Sequence, residues 1–152
     1  MLRDDLKILI VTSVSAEKNA VQQGLGDISN VDLEVVGVGP YSAAIETTKL
    51  LSRKKYNMVL CVGIAGGFQK YSSIGTVVLS DLVVSADLGA QSAEGFLSLE
   101  DLQLGISKFT TTSSILEQLK STCEREIENT VRGTILTLST VTGTKETMFD
   151  LS

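Results

Sequence analysis

Four short stretches of small and hydroxyl-bearing residues directly follow predicted strands. In open α/β sheets, ligands bind beyond the carboxyl ends of the strands. Glycine, serine and threonine at such ends let a ligand approach the backbone, whose amide and carbonyl groups can then recognise it. The stretches are TSVSAE (12–17), GVGP (37–40), GIAGG (63–67) and STVTGT (139–144). A tight turn explains any one of them, but four at one predicted sheet edge favour a small-molecule pocket.

Glu17 is the ionisable residue of this predicted edge that is best placed for chemistry. It is either a general base that activates water or a first-turn glutamate favoured by the helix dipole. The chain has no histidine, which excludes histidine-based triads and most zinc and copper sites. Asp81 and Asp87 are further candidates, although both suit a loop-capping or hydrogen-bonding role. We expect no metal and no cofactor.

Alternating strands and helices predict an α/β fold with a mostly parallel sheet. Apolar runs predict strands over residues 6–12, 31–38, 57–62, 75–80, 82–84 and 133–139. Helical spacing predicts helices over 15–24, 41–53 and 113–127, and the Ser15 hydroxyl is predicted to cap the first. Residues 87–108 form one long connection, residues 144–152 are predicted to open a helix, and Cys61 is predicted to be a small buried hydrophobe.

Composition limits the classes of function. The chain has 152 residues, 43% of them hydrophobic, which predicts a single domain over residues 1–152. The net charge of −5 is spread along the chain and disfavours binding to a nucleic-acid backbone. No apolar run approaches the roughly 20 residues needed to span a bilayer, and the acidic start is unlike a signal peptide. We therefore expect a cytoplasmic protein that binds neither nucleic acid nor membrane.

Several stretches, taken in order, resemble the superfamily of nucleoside phosphorylases and nucleosidases. They are ILIVTSVSAEKNAV (8–21), VGVGPYSAAIETTKLL (36–51), VGIAGGF (62–68), IGTVVLSDLVVSADLGAQSAEGFLSLEDLQLG (74–105) and LSTVTGT (138–144). The Gly-x-Ala-Gly-Gly turn is typical of the superfamily, whereas DLGA (87–90), GFL (95–97) and STVTGT (139–144) most resemble futalosine hydrolases.

The resemblance implies a three-layer α/β/α fold and cleavage of an N-glycosidic bond. For futalosine, a compound of menaquinone biosynthesis, the products would be hypoxanthine and dehypoxanthine futalosine. Glu17 falls where related nucleosidases hold and deprotonate the attacking water. The expected substrate-binding residues are Ala65, Gly66, Gly67, Thr142, Gly143 and Thr144. A purine nucleoside is thus the expected partner, and segment 87–108 suggests a homo-oligomer.

The residues favour hydrolysis over phosphorolysis. A phosphorylase must bind phosphate, usually through arginines at the ligand edge, whereas the loop after the first strand offers Ser13, Ser15 and Glu17. Members of the superfamily continue for about a further third of the chain, which supplies a ribose clamp and a general acid. We therefore expect a fold incomplete at the C-terminus and weak or no activity. The alternatives are a methylthioadenosine/S-adenosylhomocysteine nucleosidase, a purine nucleoside phosphorylase, a non-catalytic purine-binding module or an unrelated flavodoxin-like domain.

Overall fold

The computed structural model describes residues 6–142. The chain divides into two compact units, Met1–Gly66 and Gly67–Ser152. Each unit combines strands and helices, which confirms the predicted α/β class.

The first unit contains a three-stranded parallel sheet with the order β2-β1-β3. Its strands are β1 (Ile8–Thr12), β2 (Val31–Val35) and β3 (Met58–Cys61). All five residues of β1 are buried, as expected for an apolar run at the centre of a parallel sheet. In the register of the sheet, Val11 lies between Glu34 of β2 and Cys61 of β3. The carboxyl ends of the three strands therefore open at one edge.

Two helices cover the faces of this sheet and complete a three-layer arrangement. Helix α1 (Ser15–Leu25) packs Val21 and Leu25 against one face, which presents Ile8, Ile10 and Leu33. Helix α2 (Pro40–Arg53) packs Ala43 and Leu50 against the other face, which presents Leu9, Val11 and Val36. Alternate residues of β1 thus face opposite helices, and their burial anchors β1 between α1 and α2.

The second unit contains a mixed sheet with the order β7-β4-β8. Strand β4 (Val77–Ser85) pairs antiparallel with β7 (Lys108–Thr110) and parallel with β8 (Thr130–Thr137). Helix α3 (Ser113–Glu126) contacts both β4 and β8, and its Leu116 is buried. Strands β5 (Gly89–Ser92) and β6 (Gly95–Ser98) form a separate antiparallel hairpin.

The structure corrects three expectations about the elements. The two strands predicted over 75–80 and 82–84 are one strand, β4 (Val77–Ser85), because a bulge at Asp81 shifts the register without ending β4. The long connection 87–108 contains the β5–β6 hairpin. The four ligand-edge stretches belong to two sheets: three follow β1, β2 and β3, and the fourth follows β8.

The helix predicted over residues 144–152 lies outside the described residues. Within residues 6–142, no helix combines the length and apolar character needed to cross a membrane.

Candidate active site at the ends of β1 and β3

The parallel pairing of β1 and β3 brings two loops together that are far apart in sequence. The Val62 amide donates to the Val11 carbonyl at 3.0 Å, which extends the pairing one residue beyond β3. The chain after β1 then turns into α1, and the chain after β3 enters the exposed segment 63–67. Residues 13–17 and 63–64 consequently face each other at the sheet edge.

Glu17 joins these loops through its carboxylate, which accepts three backbone N–H groups. Its Oε2 accepts the amides of Ser13 at 2.9 Å and Val14 at 3.2 Å. Its Oε1 accepts the Ile64 amide at 3.0 Å. The Ile64 bond is the largest cause that lowers the pKa of Glu17 below its ordinary value, and the Val14 and Ser13 bonds act in the same direction against partial desolvation. Glu17 is therefore ionised and fixed in orientation at neutral pH.

The start of α1 explains why Glu17 turns back toward β1. Val14 occupies the N-cap position and has no side-chain acceptor, so the expected capping by Ser15 is wrong. The Glu17 carboxylate instead satisfies the Val14 amide, which would otherwise be one of the unpaired donors of the helix start. Its negative charge also lies at the positive end of the helix dipole. The same carboxylate thus caps the start of α1 and accepts the Ile64 amide of the β3 loop.

Gly63 allows the carboxylate to approach the β3 loop. A β-carbon on Gly63 would lie 2.6 Å from Oε1 of Glu17 and 3.0 Å from its carboxyl carbon. The first distance is shorter than a β-carbon contact allows and the second is at its lower limit, so a larger residue would displace the carboxylate from the Ile64 amide. Ile64 itself is 91% exposed, and it contributes its backbone rather than its side chain.

Cys61 ends β3 beside this site and differs from its expected role. It is exposed rather than buried, because alternate residues of β3 face away from the packed surface. Desolvation of the thiol by the surrounding protein atoms nevertheless raises the pKa of Cys61, and the negative charge of Glu17 raises it further. The thiol is therefore protonated at neutral pH and is a poor nucleophile.

The base-binding residues predicted in the β3 loop are open to solvent. Ala65, Gly66 and Gly67 are all exposed. Nothing lies within 4 Å of the position that a β-carbon on Gly66 would take, so a ligand has free access to its backbone. A β-carbon on Gly67 would instead meet the side chain of Ser72. Gly66 is therefore the residue of this loop with most room for a ligand.

The remaining predicted residues belong to the second unit. Thr142 is partly buried, whereas Gly143 and Thr144 lie outside the described residues. Asp81 forms an ion pair with Arg132 at 2.9 Å, and Asp87 accepts the Ser139 amide at 2.6 Å. Both aspartates thus make the hydrogen bonds expected from the sequence.

The site offers a fixed anion beside exposed backbone, and this limits its chemistry. Among residues 6–142, no group of three or more His, Cys, Asp or Glu side chains is arranged to hold a metal ion. A carboxylate has about four acceptor positions, and backbone donors occupy three of those of Glu17. The remaining position, on Oε1, can accept a hydrogen bond from water or a sugar hydroxyl.

The chain is similar in sequence to a known family and to proteins of known function. Residues 19–149 match the family described as the phosphorylase superfamily. A futalosine hydrolase of Acidothermus cellulolyticus is 37% identical over an alignment that covers 96% of this chain and 65% of the relative. A futalosine hydrolase of Streptomyces coelicolor is 32% identical, with coverage of 91% and 66% respectively. The chain thus spans slightly less than two thirds of the length of these two relatives.

A solved structure with the same fold is the 5'-methylthioadenosine/S-adenosylhomocysteine nucleosidase of Helicobacter pylori with butyl-thio-DADMe-Immucillin-A. Its TM-score is 0.82 at 18% sequence identity, and the match covers 98% of this chain and 71% of that chain. The fold of this nucleosidase is therefore the fold of the chain, as the sequence predicted.

Proposed function

This chain belongs to the phosphorylase superfamily, and we propose that it carries the water-orienting carboxylate and the base-contacting backbone of a futalosine nucleosidase. The reaction is hydrolysis of the N-glycosidic bond, which releases hypoxanthine and dehypoxanthine futalosine. The observation that carries the proposal is the Glu17 carboxylate, held by the Ser13, Val14 and Ile64 amides with one acceptor position left. The similarity to two futalosine hydrolases supports the choice of substrate.

Glu17 orients the attacking water in this proposal. The ribose of a breaking N-glycosidic bond develops oxocarbenium character, and so much positive charge on carbon needs little activation of the nucleophile. A carboxylate with a lowered pKa is a weak base, but it accepts a water proton late in the reaction and holds the oxygen in line before that. Its negative charge also stabilises the cationic ribose.

The exposed β3 loop contacts the purine and the ribose. Ala65, Gly66 and Gly67 offer backbone donors and acceptors without a bulky side chain. Thr142, Gly143 and Thr144 are proposed to contact the base from the segment that follows β8. Small and hydroxyl-bearing residues there leave room for the oxygen-bearing edge of hypoxanthine.

Charge favours water over phosphate as the nucleophile. An ionised Glu17 repels a phosphate dianion at the point of attack. Arg132 pairs with Asp81 and Glu117, and Arg125 pairs with Glu126, so both are already engaged in ion pairs. Added phosphate should therefore not accelerate hypoxanthine release, and no sugar 1-phosphate should form.

The test is an assay of hypoxanthine release from futalosine, with the product detected by chromatography. The enzyme is in excess over the substrate so that slow turnover is detected. We expect Glu17→Gln to reduce the rate by at least about 100-fold, because it removes both the negative charge and the proton acceptor. Glu124→Gln is the matched control, since Glu124 is exposed on α3 and forms an ion pair with Lys120. Binding of hypoxanthine without any Glu17-dependent turnover would contradict the nucleosidase and leave a purine-binding module.

Self-association through segment 87–108 is part of the same proposal. Leu104 and Ile106 are 75% and 63% exposed, and Phe109 directly after the segment is 51% exposed. Apolar side chains of this size in one stretch are typical of an interface. Light scattering should therefore give at least twice the mass of 16.2 kDa expected for a monomer.

A further inference from the structure

The two parallel strands β4 and β8 end side by side, and a carboxylate joins the loops that leave them. Ser85 pairs with Thr137 in the last step of the register, and the Ala86 amide donates to the Thr137 carbonyl at 3.0 Å. Two residues beyond the end of β8, the Ser139 amide donates to Oδ2 of Asp87 at 2.6 Å. The Asp87 contact therefore lies at the point where backbone pairing of β4 and β8 has ended.

We propose that Asp87 is a positioning residue, which fixes the segment Ser139–Thr142 so that its backbone can receive the purine. The inference rests on the proposed function, because that function assigns Thr142 to the base. It assigns Asp87 no contact with the substrate. Asp87 acts on Thr142 through Ser139, which stands three residues before it.

Little else holds this segment. Ser139 and Thr140 are exposed, and Val141 is 95% exposed, so apolar packing contributes almost nothing. Within residues 6–142, the hydrogen bonds from Ser139 to Asp87 are the contacts that tie Ser139–Thr142 to the remainder of the chain. These charge-assisted bonds restrain the start of the segment.

The ionisation of Asp87 agrees with this role. The Ser139 amide is the largest cause that lowers the pKa of Asp87, followed by the Ser139 hydroxyl. Asp87 is therefore charged at neutral pH and makes a stronger bond than a neutral acceptor would. The Leu88 amide donates to the Ser85 carbonyl at 3.3 Å, and this turn presents the Asp87 side chain toward β8.

The chain also offers a matched control. Asp101 accepts both the amide and the hydroxyl of Ser98, at 3.0 Å and 2.7 Å, and its pKa is lowered by those bonds as well. This contact is local, since only three residues separate the partners, and it does not involve the segment after β8. Asp101→Ala thus removes a similar exposed bond without altering the proposed base site.

The experiment compares Asp87→Ala, Asp87→Asn and Asp101→Ala with the unaltered chain. Two-dimensional amide NMR follows the Ser139 resonance, and a titration with hypoxanthine gives the dissociation constant. We expect the Ser139 amide proton to lie downfield in the unaltered chain and to move upfield in Asp87→Ala. Hypoxanthine affinity should fall about tenfold in Asp87→Ala and about threefold in Asp87→Asn, which keeps a neutral acceptor. It should stay within about twofold in Asp101→Ala.

Four results overturn the inference in whole or in part. The first is a Ser139 resonance that is unchanged in Asp87→Ala, and the second is an equal loss of affinity in Asp101→Ala. The unaltered chain could bind no hypoxanthine while the Ser139 resonance still changes in Asp87→Ala. This result would confirm the contact between Asp87 and Ser139, but it would contradict both the role of the segment in purine binding and the proposed function. If hypoxanthine binds equally well to the unaltered chain and to Asp87→Ala, the positioning role fails while the proposed function stands.

Discussion

Glu17 and Asp87 are two carboxylates that accept backbone amides at the carboxyl ends of parallel strands, and they differ in how many donors they engage. Glu17 accepts three amides from two separate loops, one of them 47 residues away in sequence. Asp87 accepts one amide, from Ser139, 52 residues away. Glu17 is partly buried, whereas Asp87 is exposed.

The difference separates two uses of the same interaction. Three donors on both oxygens fix the plane of the Glu17 carboxylate, and fixed geometry is what a group acting on a reacting water requires. Donors from one residue, Ser139, restrain the loop that supplies them but fix the plane of the Asp87 carboxylate less completely. We therefore expect changes at Glu17 to act on turnover and changes at Asp87 to act on affinity for the base.

The substitution with the largest expected effect on turnover is Gly63→Ala. The added methyl group occupies the space 2.6 Å from Oε1 of Glu17 and pushes the carboxylate away from the Ile64 amide. Because the displaced atoms end a flexible side chain, the fold should tolerate the change. A misplaced catalytic group costs on the order of 100-fold, so hypoxanthine release from futalosine should fall by about that factor.

Gly24→Ala is the control for this substitution, since Gly24 lies in α1 with no atom within 4 Å of the added methyl group. Turnover should be unchanged in Gly24→Ala, and both variants should unfold at a urea concentration close to that of the unaltered chain. Full activity in Gly63→Ala would show that the Ile64 amide does not hold Glu17 in its working position.

Most of the fold could be predicted, because its signals are local. The apolar run of β1 and the helical spacing of α2 need no distant partner to be recognised. The β5–β6 hairpin has no such local signal, because Ala93 and Glu94 form its turn in place of the Asn-Gly or Asp-Gly pairs typical of hairpins. The sequence therefore did not predict it. The sequence predicts a break at Asp81 because two polar residues, Ser80 and Asp81, interrupt the apolar run of β4.

The sequence could predict a residue of the candidate site only where the strand pattern alone places that residue. The location of Glu17 after β1 follows from the strand pattern, whereas its partner Ile64 follows from the pairing of β1 with β3. A hydrophobic residue whose amide is the functional group carries no sequence signal of its own. The exposure of Cys61 was missed because an apolar neighbourhood suggests burial on both faces of a strand, and β3 is an edge strand within the described part of its sheet.

Asp32 is a third carboxylate to compare with Glu17 and Asp87, because it lies on β2, away from the carboxyl ends of the strands. It accepts hydrogen bonds from the Tyr56 hydroxyl and from Lys54 at 2.5 Å, and the hydrogen bond to Asp32 is the largest cause that raises the pKa of Tyr56 to about 12. Tyr56→Phe should reduce the free energy of unfolding by about 1 kcal/mol, since one hydrogen bond to a charged, partly buried group is lost. Hypoxanthine affinity should be unchanged.

Urea unfolding measured by circular dichroism provides the stability, and Tyr71→Phe provides the control. Tyr71 is 60% exposed, so the loss of its hydroxyl should have no measurable effect on stability. Weaker purine binding in Tyr56→Phe would show that the strand ends are not the only part of the first unit that acts on the ligand.

The smallest effect is a difference in the pH dependence of stability. The pKa of Glu17 is lowered from an ordinary value of 4.5, and that of Asp87 from 3.8. A carboxyl group with a lower pKa in the folded state stabilises the fold above its unfolded pKa, and the contribution is lost as the pH falls through the folded value. The Glu17 contribution should therefore begin to fade below about pH 4.5, and the Asp87 contribution only below about pH 3.8.

Urea midpoints between pH 3 and pH 7 test this order in the unaltered chain, Glu17→Gln and Asp87→Asn. Other carboxyl groups with lowered pKa values, such as Glu100 at about 2, are present in all three proteins and cancel in the differences. The gap between the unaltered chain and Glu17→Gln should narrow at a higher pH than the gap to Asp87→Asn. Parallel midpoint curves for the unaltered chain and Glu17→Gln would mean that the three amides do not favour the ionised carboxylate, and the distinction between the two carboxylates would then rest on geometry alone.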